Sequence, residues 1–591
     1  MSGLLSLLSR TNARVCFTPR RMPLSARLLS TLPNTHIFRA LQSHDPESLA
    51  VVHSISARSF TYGNLIADTV LAKEDLEQKA QGQLAGERIA FIAESSYDYV
   101  VMMLAIFASD AIALPLSPAF PVAELKYILD NSQAKMLLTT QKYANKGLEV
   151  VDKGLEHEPV FSIRRKLTEG ASSSEAVTLQ DLKQPSSGGL MLYTSGTTNR
   201  PKGVLIPHSA VAAQASSLLE AWKYTSDDRL LHLLPLHHIH GVVNAIVAPI
   251  VAGSSVEFMH PFNAEKVWKR LAAPFLPSNS SRSPVTFLTA VPTIYTRLMA
   301  TFPELTPEYQ KAAKEGISPQ NLRLSISGSA ALPTPTKAAW TKLSNGNVLL
   351  ERFGMTEIGM AISCGLDVAD RVDGSVGWPL PGVEARLTDL ETGAVIPVED
   401  KNSNGPERQG EIQIRGETVF DHYWDNEKAT RESFVQSDDG GRPWFCTGDV
   451  AIRRVVDGAG SGASGDWARG PMYFIQGRKS VDIIKTGGEK VSALEVEREL
   501  LSLPQITEAA VVGLPSEQWG QKIVAVVVLS PDAATSGHNG QPWGPLDMRR
   551  ALKDSLAPFK IPHEMKVLEA IPRNAMGKVN KKALVKEVFG A

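Results

Sequence analysis

The sequence predicts an α/β protein. It has a large N-terminal domain of mixed and parallel sheets with flanking helices over residues 41–477, then a small α/β C-terminal domain over residues 478–591. Three observations predict this. At 591 residues the chain exceeds what one hydrophobic core fills, so two or more domains are expected. Apolar strand-like runs alternate with helical patterns from Arg58 to Ser327, the pattern of parallel βαβ units with right-handed crossovers. Around Gly477 the character shifts, leaving about one hundred residues, a normal size for a separate domain. Apolar content of 43% and charged content of 21% are those of a soluble globular protein. A net charge of −1 supplies no basic face for nucleic acid. Cys16, Cys364 and Cys446 are scattered, which argues against a disulfide scaffold or zinc site and fits a reducing compartment.

The first 40 residues have their own composition. Arg10, Arg14, Arg20, Arg21, Arg27 and Arg39 occur with several serines and leucine pairs, and no acidic residue precedes Asp45. This is a mitochondrial transit-peptide composition, implying a matrix destination with removal near Arg27–Thr31; a disordered tail is the plain alternative, and the arginines interrupt any secretory apolar core. A strand at Arg58 leads into a helix over Leu65–Lys79, followed by a buried strand over Arg88–Ala93 and an apolar helix over Tyr97–Ser109. Strands at Ala111–Leu116 and Ala134–Thr139 flank a helix over Val122–Asn131. Further strands are expected at Leu230–Leu234, Ser255–Phe258, Val285–Leu288 and Leu322–Ser327. The apolar runs Val100–Leu116 and Val242–Val256 are interrupted by Asp110 and Pro249 respectively, so they read as buried core rather than membrane spans. Polar stretches at 169–175, 277–284, 401–406 and 458–470 read as loops. The last contains Gly460-x-Gly462-x-x-Gly465, but no apolar helix follows, so it is an insertion rather than a dinucleotide site. After Gly477, Ser492-Ala-Leu-Glu495 is a capping box opening a helix to Leu503. Strands at Glu508–Gly513 and Lys522–Ser530 and a helix over Leu546–Leu556 follow.

The stretch most suggestive of chemistry is Tyr193-Thr-Ser-Gly-Thr-Thr-Asn-Arg-Pro-Lys-Gly203, directly after the apolar run Leu190–Leu192. Glycine allows close backbone approach, hydroxyls and N–H groups grip phosphate oxygens, and lysine supplies counter-charge. It is not a Walker A loop, which needs G-x-x-x-x-G-K-[ST]. Five further stretches stand in order behind it: Ser327–Pro333, Arg352–Glu357, Phe445–Asp449, Gly477–Gly488 and Pro572–Lys578. Singly, each has an ordinary reading as a strand-to-helix turn, a helix cap, a turn aspartate or a solvated lysine. His237 and His240 have metal-like spacing, but no further ligand is near in sequence, and a zinc site needs three or four.

Taken together and in register, these stretches resemble the adenylate-forming superfamily of acyl-CoA synthetases, aryl-CoA ligases, luciferases and adenylation domains. The resemblance covers nearly everything after Asp45. It implies that Thr194, Ser195, Gly196, Thr197, Thr198 and Lys202 hold the ATP phosphates, with Thr198 part of the catalytic set. Gly328, Ser329 and Ala330 would lie along the adenine. Arg352, Gly354, Met355 and Thr356 would line the nucleotide site, and Glu357 would be a catalytic Mg²⁺ ligand. Asp449 would accept hydrogen bonds from the ribose hydroxyls, Arg478 would contact the nucleotide, and Lys578 would be the catalytic lysine. Gly487 and Gly488 would approach the CoA channel. The C-terminal domain would be mobile, rotating about a hinge that is Ser480 here rather than the family's usual Asp or Lys. The implied chemistry is attack of a carboxylate on the α-phosphate of ATP, then capture of the acyl-adenylate by the CoA thiol.

The acid is addressed by two further stretches. His238, in Leu234-Pro-Leu-His-His-Ile-His-Gly241, stands at the family's histidine position, and Arg297 lies in Val291-Pro-Thr-Ile-Tyr-Thr-Arg-Leu298. With the leader, these runs resemble malonyl-CoA synthetases of the mitochondrial acyl-CoA synthetase type. That implies malonate as substrate, held at its far carboxylate by Arg297 and assisted by His238, with methylmalonate as a second acid. A medium-chain or aromatic acyl-CoA synthetase is the alternative enzyme. A non-catalytic nucleotide-binding protein on the same fold is the alternative of another class. The sequence leaves the oligomeric state open.

Overall fold

The computed structural model describes residues 31–80, 82–172, 177–184, 186–194, 200–277, 282–398, 408–573 and 579–590. Among these, three larger sheets precede Arg478 and a fourth follows it.

The first sheet has seven strands in the order His422–Tyr423, Lys202–Pro207, Gly189–Thr194, Ile112–Pro115, Arg88–Ile92, Met136–Thr140, Val160–Arg164. Its pairs are parallel from Gly189–Thr194 onward and antiparallel at the Lys202–Pro207 edge. The central strands are continuous apolar runs because both faces are covered. The second sheet has nine strands, with Leu324–Ser327 and Leu350–Glu351 parallel neighbours near one end and Leu49–His53 near the other. Between the sheets lies helix Tyr97–Ala108, all 12 residues of which are buried. One core cluster takes Ile89 and Phe91 from the first sheet, Val51, Val256 and Phe287 from the second, and Ile412 and Ile414 from the third. Each large apolar side chain so buried contributes roughly 1.5–3 kcal/mol relative to exposure.

The third sheet is antiparallel, built from Val383–Asp389, Gly410–Gly416, Trp444–Arg454 and Met472–Arg478 with two short strands at its edges. Sequence patterning does not separate it from the loops around it. The insertion at 458–470 is pinned to the large lobe, where Ser464 Oγ donates to Asp370 Oδ2 at 2.6 Å. The fourth sheet pairs Ile506–Ser516 with Gly520–Leu529 and has its own core, including Val496, Val511, Ile523 and Met548. Ser492 caps helix Ala493–Leu501 by accepting the Glu495 N–H at 3.1 Å, as the sequence indicates.

The folded chain begins earlier than residue 41. Thr31–Pro33 pairs in parallel with Thr178–Gln180, and helix His36–Ser43 buries Ile37, Phe38 and Leu41. The leader composition through residue 40 therefore overlaps the fold by ten residues, the last five of them in an amphipathic helix whose apolar face belongs to the core. Among the described residues no helix is long and apolar enough to cross a membrane.

Candidate active site

Strand ends of the first three sheets gather the site. Thr194 closes strand Gly189–Thr194 and faces Lys202 across the antiparallel pair. Ser195, Gly196, Thr197 and Thr198, between them, lie outside the described residues, as does Lys578. The Lys202 ammonium lies 5.0 Å from the ring centre of Tyr423, within cation–π range. The Tyr423 hydroxyl donates to Glu357 Oε1 at 2.9 Å. Glu357 is buried, and burial pushes its pKa up against the opposing pull of Tyr423, Arg478 and Lys202. On the third sheet Asp449 and Arg478 are register partners, with Arg478 Nε 2.8 Å from Asp449 Oδ1. Arg478 Nη1 also donates to the Thr447 carbonyl at 3.0 Å. Thus Lys202, Tyr423, Glu357, Asp449 and Arg478 form one charged group from three sheets.

A second group sits where strand Leu324–Ser327 ends. A Cβ on Gly328 would lie 2.5 Å from Arg352 Cζ, so only glycine lets that guanidinium lie against the turn. Ser329 adopts φ 67°, and its hydroxyl accepts from Arg352 Nη2 at 3.4 Å. The same hydroxyl lies 3.4 Å from His240 Nδ1, while His240 Nε2 pairs with Thr289 Oγ1 at 2.5 Å. His240 opens a π-helical stretch, His240–Val247, a rare geometry that recurs at functional sites. Burial, and then the Arg352 charge, hold the His240 pKa well below its usual value, so its imidazole is neutral.

Arg352 is 3% exposed. Among the described residues it has no carboxylate partner, and its Nε makes no hydrogen bond. Burial pulls its pKa down to about 9. Burying a guanidinium costs free energy unless it is paired, so this one has the chemistry to take an anion.

The remaining sequence-predicted residues fall around these groups. Gly354 stands at the bulge after Phe353, Met355 ends that strand, Thr356 is half-buried and Ala330 is exposed. His238 is half-buried and its ring centre lies 4.0 Å from that of His237. Arg297 is exposed on helix Pro292–Thr301, with its guanidinium 4.9 Å from the Phe262 ring centre. Gly487 and Gly488 have φ of 57° and 88° at the centre of the Ile483–Thr486/Glu489–Ser492 hairpin, which a type I′ turn requires. The Gly487 N–H donates to the Trp519 carbonyl at 2.9 Å. Sequence reasoning missed Tyr423 and Thr289, and weighed His240 only as a metal ligand. His240 lies in the same histidine run as His238, but the family spacing pointed to the latter. Tyr423 reaches Glu357 only through a two-residue strand at a sheet edge.

The family comparisons define an enzyme of the adenylate-forming class, and the charged groups above lie where its motifs fall. The AMP-binding enzyme family matches residues 25–424 and the AMP-binding enzyme C-terminal domain matches residues 495–578. The chain belongs to this family and is an AMP-forming acid–thiol ligase. It is 52% identical over 584 residues to a CoA ligase of Gibberella moniliformis, with 95% of each chain covered. It is 38% identical over 519 residues to the mitochondrial malonate–CoA ligase ACSF3 of Homo sapiens, covering 85% of this chain and 84% of that one. ATP-bound MatB from Rhodopseudomonas palustris superposes with a TM-score of 0.74 at 29% identity, over 94% of this chain and 99% of that one. A malonyl-CoA ligase in a ternary product complex with methylmalonyl-CoA and AMP superposes with a TM-score of 0.55 at 30% identity, over 91% and 100%.

Proposed function

We propose that this ligase joins malonate to CoA at the expense of ATP, through malonyl-adenylate, releasing AMP and diphosphate, and that methylmalonate is its second substrate. The observation that carries the choice of acid is Arg352, buried and without a carboxylate partner among the described residues. A fatty or aromatic monocarboxylate spends its only charge on the reaction and leaves that guanidinium, which the motif alone assigned to the nucleotide, without counter-charge from the acid. A short dicarboxylate brings a second carboxylate to it, and one methyl on the acid is a weak discriminator. Malonate–CoA ligases among the relatives support the same reading. Arg297 and His238 belong to the proposal as further contacts to the acid.

In the first step a malonate carboxylate oxygen bonds to the α-phosphorus, and the bond to the β-phosphate oxygen breaks, releasing diphosphate. Anion is brought onto anion, so catalysis lies in positioning and in positive charge aimed at the oxygens. Lys202 beside Thr194 supplies such charge from the large lobe, and Lys578 from the small one. Asp449 accepts from the ribose hydroxyls. Glu357 fits a Mg²⁺ ligand: it is one buried carboxylate that burial disfavours as an anion, and Mg²⁺ is commonly held by one or two carboxylates plus substrate phosphates. The bound ion would neutralise phosphate charge there. In the second step the CoA sulfur attacks the acyl carbon, its proton leaves to solvent or base, and AMP departs. Rotation of the lobe 478–591 on the lobe 41–477 about Ser480 would bring the Gly487–Gly488 turn to the thiol's path. The basic leader and the mitochondrial relatives support a matrix location.

The test is diphosphate–ATP exchange by the purified chain over a panel of acids, with CoA product identified by mass. Malonate, then methylmalonate, should support exchange and yield the CoA ester. Exchange driven by octanoate or benzoate and not by malonate would overturn the choice of acid.

A further inference from the structure

The segment holding Lys578 runs into a final helix, Lys581–Phe589, whose first residue takes a charge into the interior. The Lys581 ammonium lies 2.5 Å from Asp482 Oδ1 and 2.7 Å from Glu497 Oε1. The three side chains are only 11%, 11% and 14% exposed. Two carboxylates against one ammonium leave net negative charge in the interior, and apolar side chains of the same volume would hold the lobe together at lower cost. Cohesion alone is therefore a poor account of this triad.

What the carboxylates also bind shows what is tied together. Asp482 Oδ2 accepts the Arg478 N–H at 2.9 Å, and the Asp482 N–H donates to the Arg478 carbonyl at 2.8 Å, closing the turn that contains Ser480. The Asp482 carbonyl accepts the Ala493 N–H at 2.8 Å, at the start of helix Ala493–Leu501. Glu497, on that helix, accepts the Val511 N–H of the neighbouring strand at 2.8 Å. One ammonium thus fastens the last helix to the turn after Arg478, to helix Ala493–Leu501 and to the fourth sheet. Lys578 precedes Lys581 by three residues, and a chain spans at most about 3.5 Å per residue, so the two Cα atoms stay within about 11 Å. On the other side of the segment Arg573 pairs with Glu508 at 2.8 Å.

We propose that Lys581 is a positioning residue for the adenylate-forming step: through Asp482 it fixes the base of the Lys578 segment to the turn at Arg478. Lys581 itself touches no substrate and acts through Lys578, so the proposal rests on the ligase reading above.

The two half-reactions separate this role from a structural one. In the full chain, Lys581→Met should lower malonate-dependent diphosphate–ATP exchange about 10²-fold in kcat, the scale of a misplaced catalytic group, with the KM for ATP little changed. Thioester formation from separately supplied malonyl-adenylate should hold its rate, and Lys581→Arg should restore most of the exchange. If Lys581→Met does not fold, Asp482→Asn keeps an acceptor for the Arg478 N–H, removes one charge, and must show the same split. An equal fall in both half-reactions, or a change in neither, would overturn the positioning role. Wild-type exchange is measured first: its absence with every acid would overturn the ligase reading and this proposal with it.

Discussion

Replacing Arg352 by methionine should make the unliganded protein more stable while removing its use of malonate. The guanidinium pKa falls from its ordinary 12.5 to about 9 in the fold, a drop of about 3.5 units. At about 1.36 kcal/mol per unit this corresponds to about 5 kcal/mol of destabilisation. A base whose folded pKa lies below its unfolded pKa releases its proton more easily in the native state, so the cost is present in full below pH 9 and is relieved above it. Methionine recovers only part of this. The lost hydrogen bond to Ser329 and the imperfect filling of the guanidinium site take back about 2–3 kcal/mol, leaving about 2–3 kcal/mol of net stabilisation. The assay is thermal unfolding at neutral pH without and with malonate, alongside steady-state kinetics. Malonate should raise the midpoint of the wild type and not that of Arg352→Met. The variant's kcat/KM for malonate should fall by about 10²–10³, as expected when one partner of a buried charge pair is removed. A variant that melts lower than wild type yet uses malonate normally would refute the reasoning.

Glu357→Gln should lower adenylate formation about 10²-fold, seen as loss of diphosphate exchange. Because burial raises the Glu357 pKa, its neutral form is favoured in the fold and its stability contribution is lost as pH rises through that value. Mg²⁺ binding to the free enzyme must displace that proton, so its affinity should fall as pH falls from a point above the usual glutamate value of 4.5, and an affinity that does not change with pH would contradict the assignment. Asp449→Asn should raise the KM for ATP and weaken the pairing with Arg478, read by nucleotide titration; an unchanged KM would remove Asp449 from the ribose site. Lys578→Ala should abolish exchange while leaving thioester formation from malonyl-adenylate intact, and equal loss of both would contradict its proposed role. Gly488→Val forces a β-branched residue to φ 88°, so thioester formation should slow more than exchange, and the reverse order would count against the CoA assignment.

Much of the large lobe was legible in the sequence because its strands are buried on both faces. Ile89–Ile92 and Met136–Leu138 are unbroken apolar runs within their strands, and helix Val122–Ser132 lies between strands where the pattern put it. The third sheet was not legible, since strands such as Val383–Asp389 bury only Val383, Leu387 and Thr388, with no regular period, among turns of similar composition. Helix His36–Ser43 was hidden by the arginines and serines around it, although Ile37, Phe38 and Leu41 already sit at helical spacing. The site was legible as motifs but not as partnerships. Arg352 stands in a motif that says nothing of its burial, and nothing in the sequence pairs Tyr423 with Glu357 or His240 with Thr289. These contacts depend on which strand ends the topology brings together, a property of long-range pairing rather than local pattern.

The central claim is that a malonate oxygen becomes bonded to the α-phosphorus of ATP. Turnover of malonate labelled with oxygen-18 in both carboxylates, with mass analysis of the nucleotide product, tests it directly. AMP carrying one heavy oxygen is the predicted result. Unlabelled AMP, or ADP with the label in inorganic phosphate, would contradict it.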